Sequence, residues 1–364
     1  MKIGTCQDET GQIAHGELQV AVDANGAPLT IPLAIARGIT PGKTMFLAAG
    51  VHGDEINGIA ILQRFMQKLD VRALRGTIIL LPLVNVSGFE AGQRYVQYDA
   101  KDLNRCFPGS REGSFSEQLA QMIFHQVIAR CDFGVDVHDS GQGSVLLPHP
   151  RAHIMDESGG YDSERMELIA AFGTDIIMLT RGMEGVMTCE ASRNLGIPAF
   201  TVEIGGGGIL WESLIRRALT GLKNLLIFQD MLPGEMCMPH EQYILPGADN
   251  LQIQARMGGI LYSKVSLGEA VNKGQILAEI FDPVTLASEV IRAKDCGVVH
   301  DLNVRGKVNA GDDVIGLLEF SSCPHRGCKP TRDDVETIIY ETSRRVRIRR
   351  SEVFDAALSL KIGE

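Results

Sequence analysis

Nowhere in the 364 residues is there an uninterrupted apolar run of the roughly 18 to 20 residues that a membrane-spanning helix requires. The opening residues, MKIGTCQDET, also lack the apolar stretch of a secretory signal. Both absences lead to the expectation of a cytoplasmic chain without a membrane partner. Basic residues are in the minority, 35 against 45 acidic ones, for a net charge of −10. No global field therefore favours nucleic acid, and an anionic substrate has to be held by local cations. The eight cysteines lie scattered along a chain too long to need staples, so free thiols are expected. What the sequence does have is ordinary globular material, 45% hydrophobic and 22% charged, enough for at least one large core.

Residues 17–23 (ELQVAVD) and 30–37 (TIPLAIAR) alternate around Asn25-Gly26, a dipeptide that tolerates the positive φ of a tight turn, and predict a hairpin. From there to about residue 230, apolar runs at 44–50, 77–84 and 133–138 alternate with helical stretches at 55–69, 116–130 and 211–229. Short runs buried on both faces and separated by helices predict an α/β fold with a largely parallel sheet. After Met231-Leu232-Pro233-Gly234 the helical signals stop, and 241–320 reads as short strands separated by glycines. The expected division is an α/β domain over 1–232, a β-sandwich over 233–325 and a helical tail over 326–364, with a helix around 333–342.

Within the second segment, Gly259 to Gly268 is weakly repeated by Gly297 to Gly306, which predicts two similar β units related by a pseudo-twofold axis. The repeat resembles the biotinyl/lipoyl, or barrel-sandwich hybrid, fold. Carriers of that family place a modified lysine at the hairpin tip between the units, but the tip here, 282–288 (DPVTLAS), has none, so no swinging arm is expected. In the tail, the arginine-rich run 344–350 reads as a solvated face or a set of ion pairs. Cys323-Pro324-His325-Arg326-Gly327-Cys328 lacks a partner pair and the spacing of a zinc knuckle, and reads as a structural turn.

The run 44–50 continues through Val51-His52-Gly53-Asp54-Glu55, with a helix expected from about Glu55. Three residues apart at a strand-to-helix junction, an imidazole nitrogen and a carboxylate oxygen can reach one ion. His138, closing the run from Phe133, is the third candidate. Two histidines and one carboxylate leave a tetrahedral zinc one open position, the catalytic rather than the structural arrangement. Taken singly, each residue has a plainer reading: a histidine after a strand serves core or loop hydrogen bonding, and Glu55 is a first-turn acid favoured by the helix dipole. Their shared placement argues otherwise, because open α/β sheets bind ligands beyond the carboxyl ends of their strands, where His52, His138 and Glu203 all fall. The loop after 77–84 adds Arg94, Asn104 and Arg105. Arginine forks suit a substrate carboxylate or a polarised carbonyl, with asparagine as a further donor, although two loop arginines also fit a plain solvated surface.

Gly50-Val51-His52-Gly53-Asp54-Glu55, Asp102-Leu103-Asn104-Arg105 with Phe107-Pro108-Gly109, Asp136-Val137-His138 and Thr201-Val202-Glu203-Ile204-Gly205 resemble, in order and spacing, the motifs of one family. That family is the succinylglutamate desuccinylase/aspartoacylase family, a branch of the zinc carboxypeptidase fold, and the resemblance covers roughly residues 15–320. It implies one zinc per chain, held by His52, Glu55 and His138, with Glu203 as general base. Arg94 resembles the arginine that polarises the scissile carbonyl, and Asn104 and Arg105 the pair that grips an α-carboxylate. Arg193 stands where aspartoacylases have a further substrate-binding arginine. The implied reaction is hydrolysis of the amide bond of a small anionic N-acyl amino acid, and the motifs name neither the acyl group nor the amino acid. A carboxypeptidase-like peptidase or peptidoglycan amidase on the same metal centre is the alternative among enzymes. A non-catalytic metabolite-binding protein is the alternative outside them, against which the intact set of His52, Glu55, His138 and Glu203 argues. By the same resemblance the β-sandwich packs beside the cleft and excludes long peptides, with Tyr262 or Lys264 as candidates to reach the site. A homo-oligomer is left open.

Overall fold

The computed structural model describes residues 1–154, 163–239, 242–246, 252–320, 336–338 and 348–350. Two short strands, β1 (Lys2–Ile3) and β2 (Cys6–Gln7), lead into the expected hairpin of β3 (Gln12–Val22) and β4 (Pro28–Arg37). Its strands are antiparallel, with Glu17 opposite Pro32, and the turn places Gly26 at φ 87°. β5 (Thr40–Ala49), α1 (Ile56–Lys68), β6 (Arg75–Leu81), α2 (Val86–Ala91), α3 (Phe115–Gln126) and β7 (Phe133–His138) follow. The chain then inserts β8 (Ser144–Ile154), α4 (Ser163–Ala171), β9 (Ile176–Arg181) and α5 (Met187–Leu195) before β10 (Ala199–Gly206) and α6 (Glu212–Phe228). Pro148 and Pro150 interrupt the strand signature of β8, which is why no expected run marks it.

The centre of the sheet is the parallel order β10-β7-β5-β6, as expected, extended by antiparallel β4 on one side and β8 on the other. β5 shows why its residues from Met45 to Ala49 are apolar without a break. Met45, Leu47 and Ala49 enter one core with Ile61 and Leu62 of α1 and Leu225 of α6, while Phe46 and Ala48 enter a second with Leu119 of α3 and Met187 of α5. Successive side chains of a strand face opposite sides, so a strand covered by helices on both sides must be apolar at every position. Burying Met45, Phe46 or Leu47 is worth about 1.5–3 kcal/mol each.

Beyond β11 (Met236–Met238) and β12 (Gln242–Pro246) the repeat is visible in the pairing. Its first half is β13 (Gln252–Gln254), β14 (Gly259–Ser263), β15 (Ala270–Val271) and β16 (Ile276–Phe281). The second half is β17 (Ser288–Arg292), β18 (Cys296–Asn303), β19 (Lys307–Val308) and β20 (Asp313–Phe320). β14 pairs with β16 and β19, just as β18 pairs with β20 and β15, and β13 pairs with β20 as β17 pairs with β16. Each half thus lends strands to the other, which is the pseudo-twofold relation expected of the repeat.

β18 also pairs with β8, Asp301 lying opposite Leu146, so the β unit continues the main sheet by backbone hydrogen bonds across the boundary expected near residue 232. Its Leu261, Val271 and Leu277 belong to the same core as α1. Cys323 and Cys328, and most of the helix expected around 333–342, lie outside the described residues. The three of those helix positions that are described, Glu336–Ile338, instead form β21, antiparallel to β12, and Ile348–Arg350 forms β22 beside β11. Six cysteines, Cys6, Cys106, Cys131, Cys189, Cys237 and Cys296, carry free thiols. Among the described residues no helix is long and apolar enough to cross a membrane.

Candidate metal centre and substrate cavity

Three strand ends meet at one point. β5 stops at Gly50, whose φ of 64° turns the chain out of the sheet, and the following His52 sits on a tight turn before α1. Gly53 has to be glycine, because a Cβ there would lie 2.0 Å from the backbone of Gly88. Asp139, just past β7, accepts from the backbone N–H of Asn57 at 2.9 Å and so caps the first turn of α1. The side chain of Asn57 reaches Asp139 and the carbonyl of Ile209, fixing Glu55 against the end of β7. In β10, Glu203 stands in register with His138 of β7.

His52, Glu55 and His138 are all buried, and one donor atom from each lies within 4.8 Å of the others. Nδ1 of His52 is 2.5 Å from Glu55 Oε1, Nδ1 of His138 is 2.7 Å from Glu55 Oε2, and the two Nδ1 atoms are 3.2 Å apart. Nε2 of His52 faces Asp102 Oδ1 at 3.0 Å, and Nε2 of His138 faces Asp136 Oδ2 at 2.7 Å. An ionised carboxylate only accepts, so each Nε2 donates and each Nδ1 keeps a lone pair aimed at Glu55 and at the other ring. Three electron-rich atoms crowd one point, which is stable only with added protons or a cation between them. Burial opposes protonation of His52 and His138, but the Glu55, Asp102 and Asp136 carboxylates outweigh it and raise both pKa values. The donor set fits zinc: two imidazole nitrogens and a carboxylate, each ring braced from behind by an aspartate, with one coordination position left over.

Arg94 lies across this centre, its Nη2 3.0 Å from Asp102 Oδ2 and its Nη1 3.4 Å from Glu55 Oε1. Asn104 is buried and turned inward: its Oδ1 accepts from the N–H of Met187 at 2.9 Å and its Nδ2 lies 3.3 Å from His138 Nε2. Arg105 donates to the Asn104 carbonyl at 2.7 Å and lines the cavity mouth. Arg193 does not line the cavity. It sits one turn beyond Glu190 on α5 and pairs with it, so the expected substrate contact is replaced by an ion pair within the helix.

The cavity has a volume of about 270 Å³, and its second wall comes from β8, β13 and β18. His149, Arg151 and His153 alternate along β8, share one face and all line the cavity, as do Gln252, His300 and Asp301 of the β unit. Arg151 Nη2 holds Glu203 Oε1 at 3.1 Å. Burial, together with the positive charge of Arg151, lowers the pKa of His149 and of His153 to about 3 and that of His300 to about 4, so all three rings are neutral. Tyr262 and Lys264 do not line the cavity; Tyr262 is exposed, and Lys264 pairs with Glu279 at 2.9 Å. Asp102, Asp136 and Arg151 are the participants not assigned a role from sequence, and where the resemblance implied a β unit beside the cleft it is Gln252, His300 and Asp301, not Tyr262 or Lys264, that line it. The stripe His149-Pro150-Arg151-Ala152-His153, polar at every second residue, was the available signal for β8.

Residues 41–229, more than half of the chain, match the Succinylglutamate desuccinylase/Aspartoacylase catalytic domain. The chain belongs to this family. It is 29% identical over 326 residues to the N-alpha-acetyl-L-2,4-diaminobutyric acid deacetylase of Halomonas elongata, covering 86% of this chain and 94% of that protein. A succinylglutamate desuccinylase of Silicibacter sp. TM1040 superposes with a TM-score of 0.76 at 26% identity, covering 87% of this chain and 99% of the other. The product-bound ectoine utilization protein EutE (DoeB) of Ruegeria pomeroyi gives a TM-score of 0.74 at 26% identity, covering 85% and 96% respectively. Family members thus include deacylases of N-acyl amino acids, and the α/β fold with its additional strands is theirs.

Proposed function

We propose that this protein is a zinc-dependent hydrolase that removes the acyl group from small N-acyl amino acids, with one zinc per chain held by His52, Glu55 and His138. The observation that carries this reading is the convergence of three buried donor atoms on one point, with Glu203 beside His138 on the adjoining strand and Arg94 directed at Glu55. Bound zinc would supply Lewis acidity, polarising the substrate carbonyl and bringing the pKa of water from about 15.7 toward 7.

Glu203 takes a proton from the attacking water at its carboxylate and returns it to the leaving nitrogen. Arg151, 3.1 Å away, holds that carboxylate in place. Arg94 donates to the oxygen on which negative charge develops, a contribution of about 10²- to 10³-fold for a single such donor. Arg105 keeps one donor on the Asn104 carbonyl and offers the rest of its fork to the substrate α-carboxylate, and Asn104 Nδ2, not engaged by its Met187 contact, is a further donor toward it. The β unit over about 233–325 belongs to the same reading, because a cavity of about 270 Å³ walled by β13 and β18 suits a single N-acyl amino acid better than a polypeptide. A cytoplasmic setting fits the free thiols.

Mass-spectrometric screening of the zinc-loaded protein against N-acetyl and N-succinyl amino acids and tetrapeptides tests the proposal. The expected result is a carboxylate and a free amine from single N-acyl amino acids, with tetrapeptides cleaved at least about 10²-fold more slowly. Efficient release of C-terminal residues from a tetrapeptide would instead make the protein a peptidase.

A further inference from the structure

Besides the substrate cavity, the described residues enclose a larger one, of about 530 Å³, between the end of α1, the middle of α6 and the chain just after α6. Its floor is apolar: Phe65 and Leu226 are buried, and Leu69, Leu219 and Leu232 pack against the same core. Its rim is cationic. Lys68, Arg216 and Lys223 line it, all three exposed, and among the described residues none of them takes part in an ion pair. The one acid there, Asp70, already accepts from the backbone N–H of Arg72 at 3.1 Å. Three cations against one acid is the reverse of the chain as a whole, whose net charge is −10.

On α6, Arg216 and Lys223 are seven residues apart, two turns along one face, with Leu219 and Leu226 on the same stripe. On α1, Lys68 follows Arg64 by one turn. Arg64 meets Glu212 of α6 at 3.5 Å, so opposite charges bridge the two helices there. One turn further along each helix the counterparts are Lys68 and Arg216, like charges lining one groove. Lys68 in the last turn of α1 suits the helix dipole, but Arg216 and Lys223, inside α6, have no such reason to be there. Like charges facing one groove repel, and an anion taken in between them turns that repulsion into attraction. A cavity of this volume is in the range of small-molecule sites, roughly 300–1,000 Å³, and a cationic rim over an apolar floor asks for both characters in one molecule. It is remote from the metal centre, since Glu55 caps the start of α1 and Lys68 closes the helix 13 residues, or about 20 Å, further on.

We infer that this groove is a second ligand site, for a free amphipathic organic anion. A carboxylate head sits between Lys68 and Arg216, and the apolar body lies on Phe65, Leu219 and Leu226, with Lys223 at the rim. The site takes no part in the proposed hydrolysis, so it stands or falls independently of that reading.

Calorimetry on the full-length protein tests this with octanoate, its neutral counterpart octanol and the shorter butanoate. Octanoate should bind at least about tenfold more tightly than octanol, because the head makes charge-assisted contacts, and at least about tenfold more tightly than butanoate, because four more methylenes are buried. Lys68→Glu repeats, against Arg216, the pairing of Arg64 with Glu212, and should lower octanoate affinity at least about tenfold. Arg216→Gln, also at an exposed position, should lower it about threefold or more. A chelator that strips the metal centre should leave octanoate binding unchanged. Octanol bound as tightly as octanoate, an affinity unmoved by both substitutions, or no octanoate binding at millimolar concentration overturns the inference. Loss of octanoate binding on chelation does so too, because it moves the ligand to the metal.

Discussion

On the wall formed by the ends of β5, β7 and β10, His52 has Asp102, His138 has Asp136, and Glu55 has both rings, with Asp136 Oδ1 left buried without a partner. On the facing wall, from β8, β13 and β18, His300, Asp301 and Gln252 keep atoms with no partner at all. The donor set of the first wall is complete but for a cation, which a reaction common to many substrates requires. The second lines the cavity away from those donor atoms, where discrimination between substrates would reside. Chemistry and selectivity are thus assigned to different strands, and the two should respond to substitution in different ways.

The largest effect is expected at the metal. His138→Ala removes one of three ligands, so zinc content after dialysis against a mild chelator should fall below about 0.1 per chain, and turnover with it. Elemental analysis checks this, and full zinc retention by the variant would exclude His138 as a ligand. The same chelator applied to wild type should abolish activity, and added zinc should restore it.

Glu203→Gln is the sharper probe, because the amide keeps the shape and a contact to Arg151 but cannot take a proton. Zinc content and melting temperature should be retained while kcat drops about 10²- to 10⁴-fold. Steady-state kinetics alongside metal analysis decides it: a variant with more than about a tenth of wild-type kcat rules out the base role.

Much of the first wall was legible in the sequence, for a physical reason. His52 and Glu55 follow β5, His138 closes β7, and Glu203 lies within β10 three residues before its end at Gly206, so local pattern alone could place all four near strand ends. The second wall depends on partners far apart in the chain. Arg151 faces Glu203 through the antiparallel register of β8 and β10, and Asp301 arrives through pairing of β18 with β8, a contact between halves of the chain that periodicity does not encode. The pseudo-twofold β unit was readable as a repeat, but its docking on the sheet was not.

A smaller effect is expected one step behind the ligands. Asp136 is fully buried and receives the Nε2 hydrogen of His138, so Asp136→Asn keeps the size but weakens the acceptor and the ring's hold on the metal. Zinc affinity should drop about 10- to 100-fold, measured by competition with a chromophoric chelator. An unchanged affinity would mean that His138 is oriented by packing alone.

The smallest kinetic effect is expected at Arg193, the one arginine placed in the site by resemblance and outside it by the structure. Its guanidinium is held by Glu190, which is buried and also accepts from Asn194 Nδ2 and, at 3.1 Å, from the N–H of Gly185. Arg193→Ala should therefore change kcat/KM by less than about threefold, whereas Arg105→Ala should cost at least about 10²-fold because a substrate carboxylate loses its fork. The loss at Arg193 should instead appear in stability. Glu190 keeps two of its three partners, so the cost is roughly 1 kcal/mol, or about 2–4 °C in melting temperature. Calorimetry and kinetics on the two variants separate the roles: a large kinetic loss at Arg193 with an unchanged melting temperature would move that arginine back to the substrate.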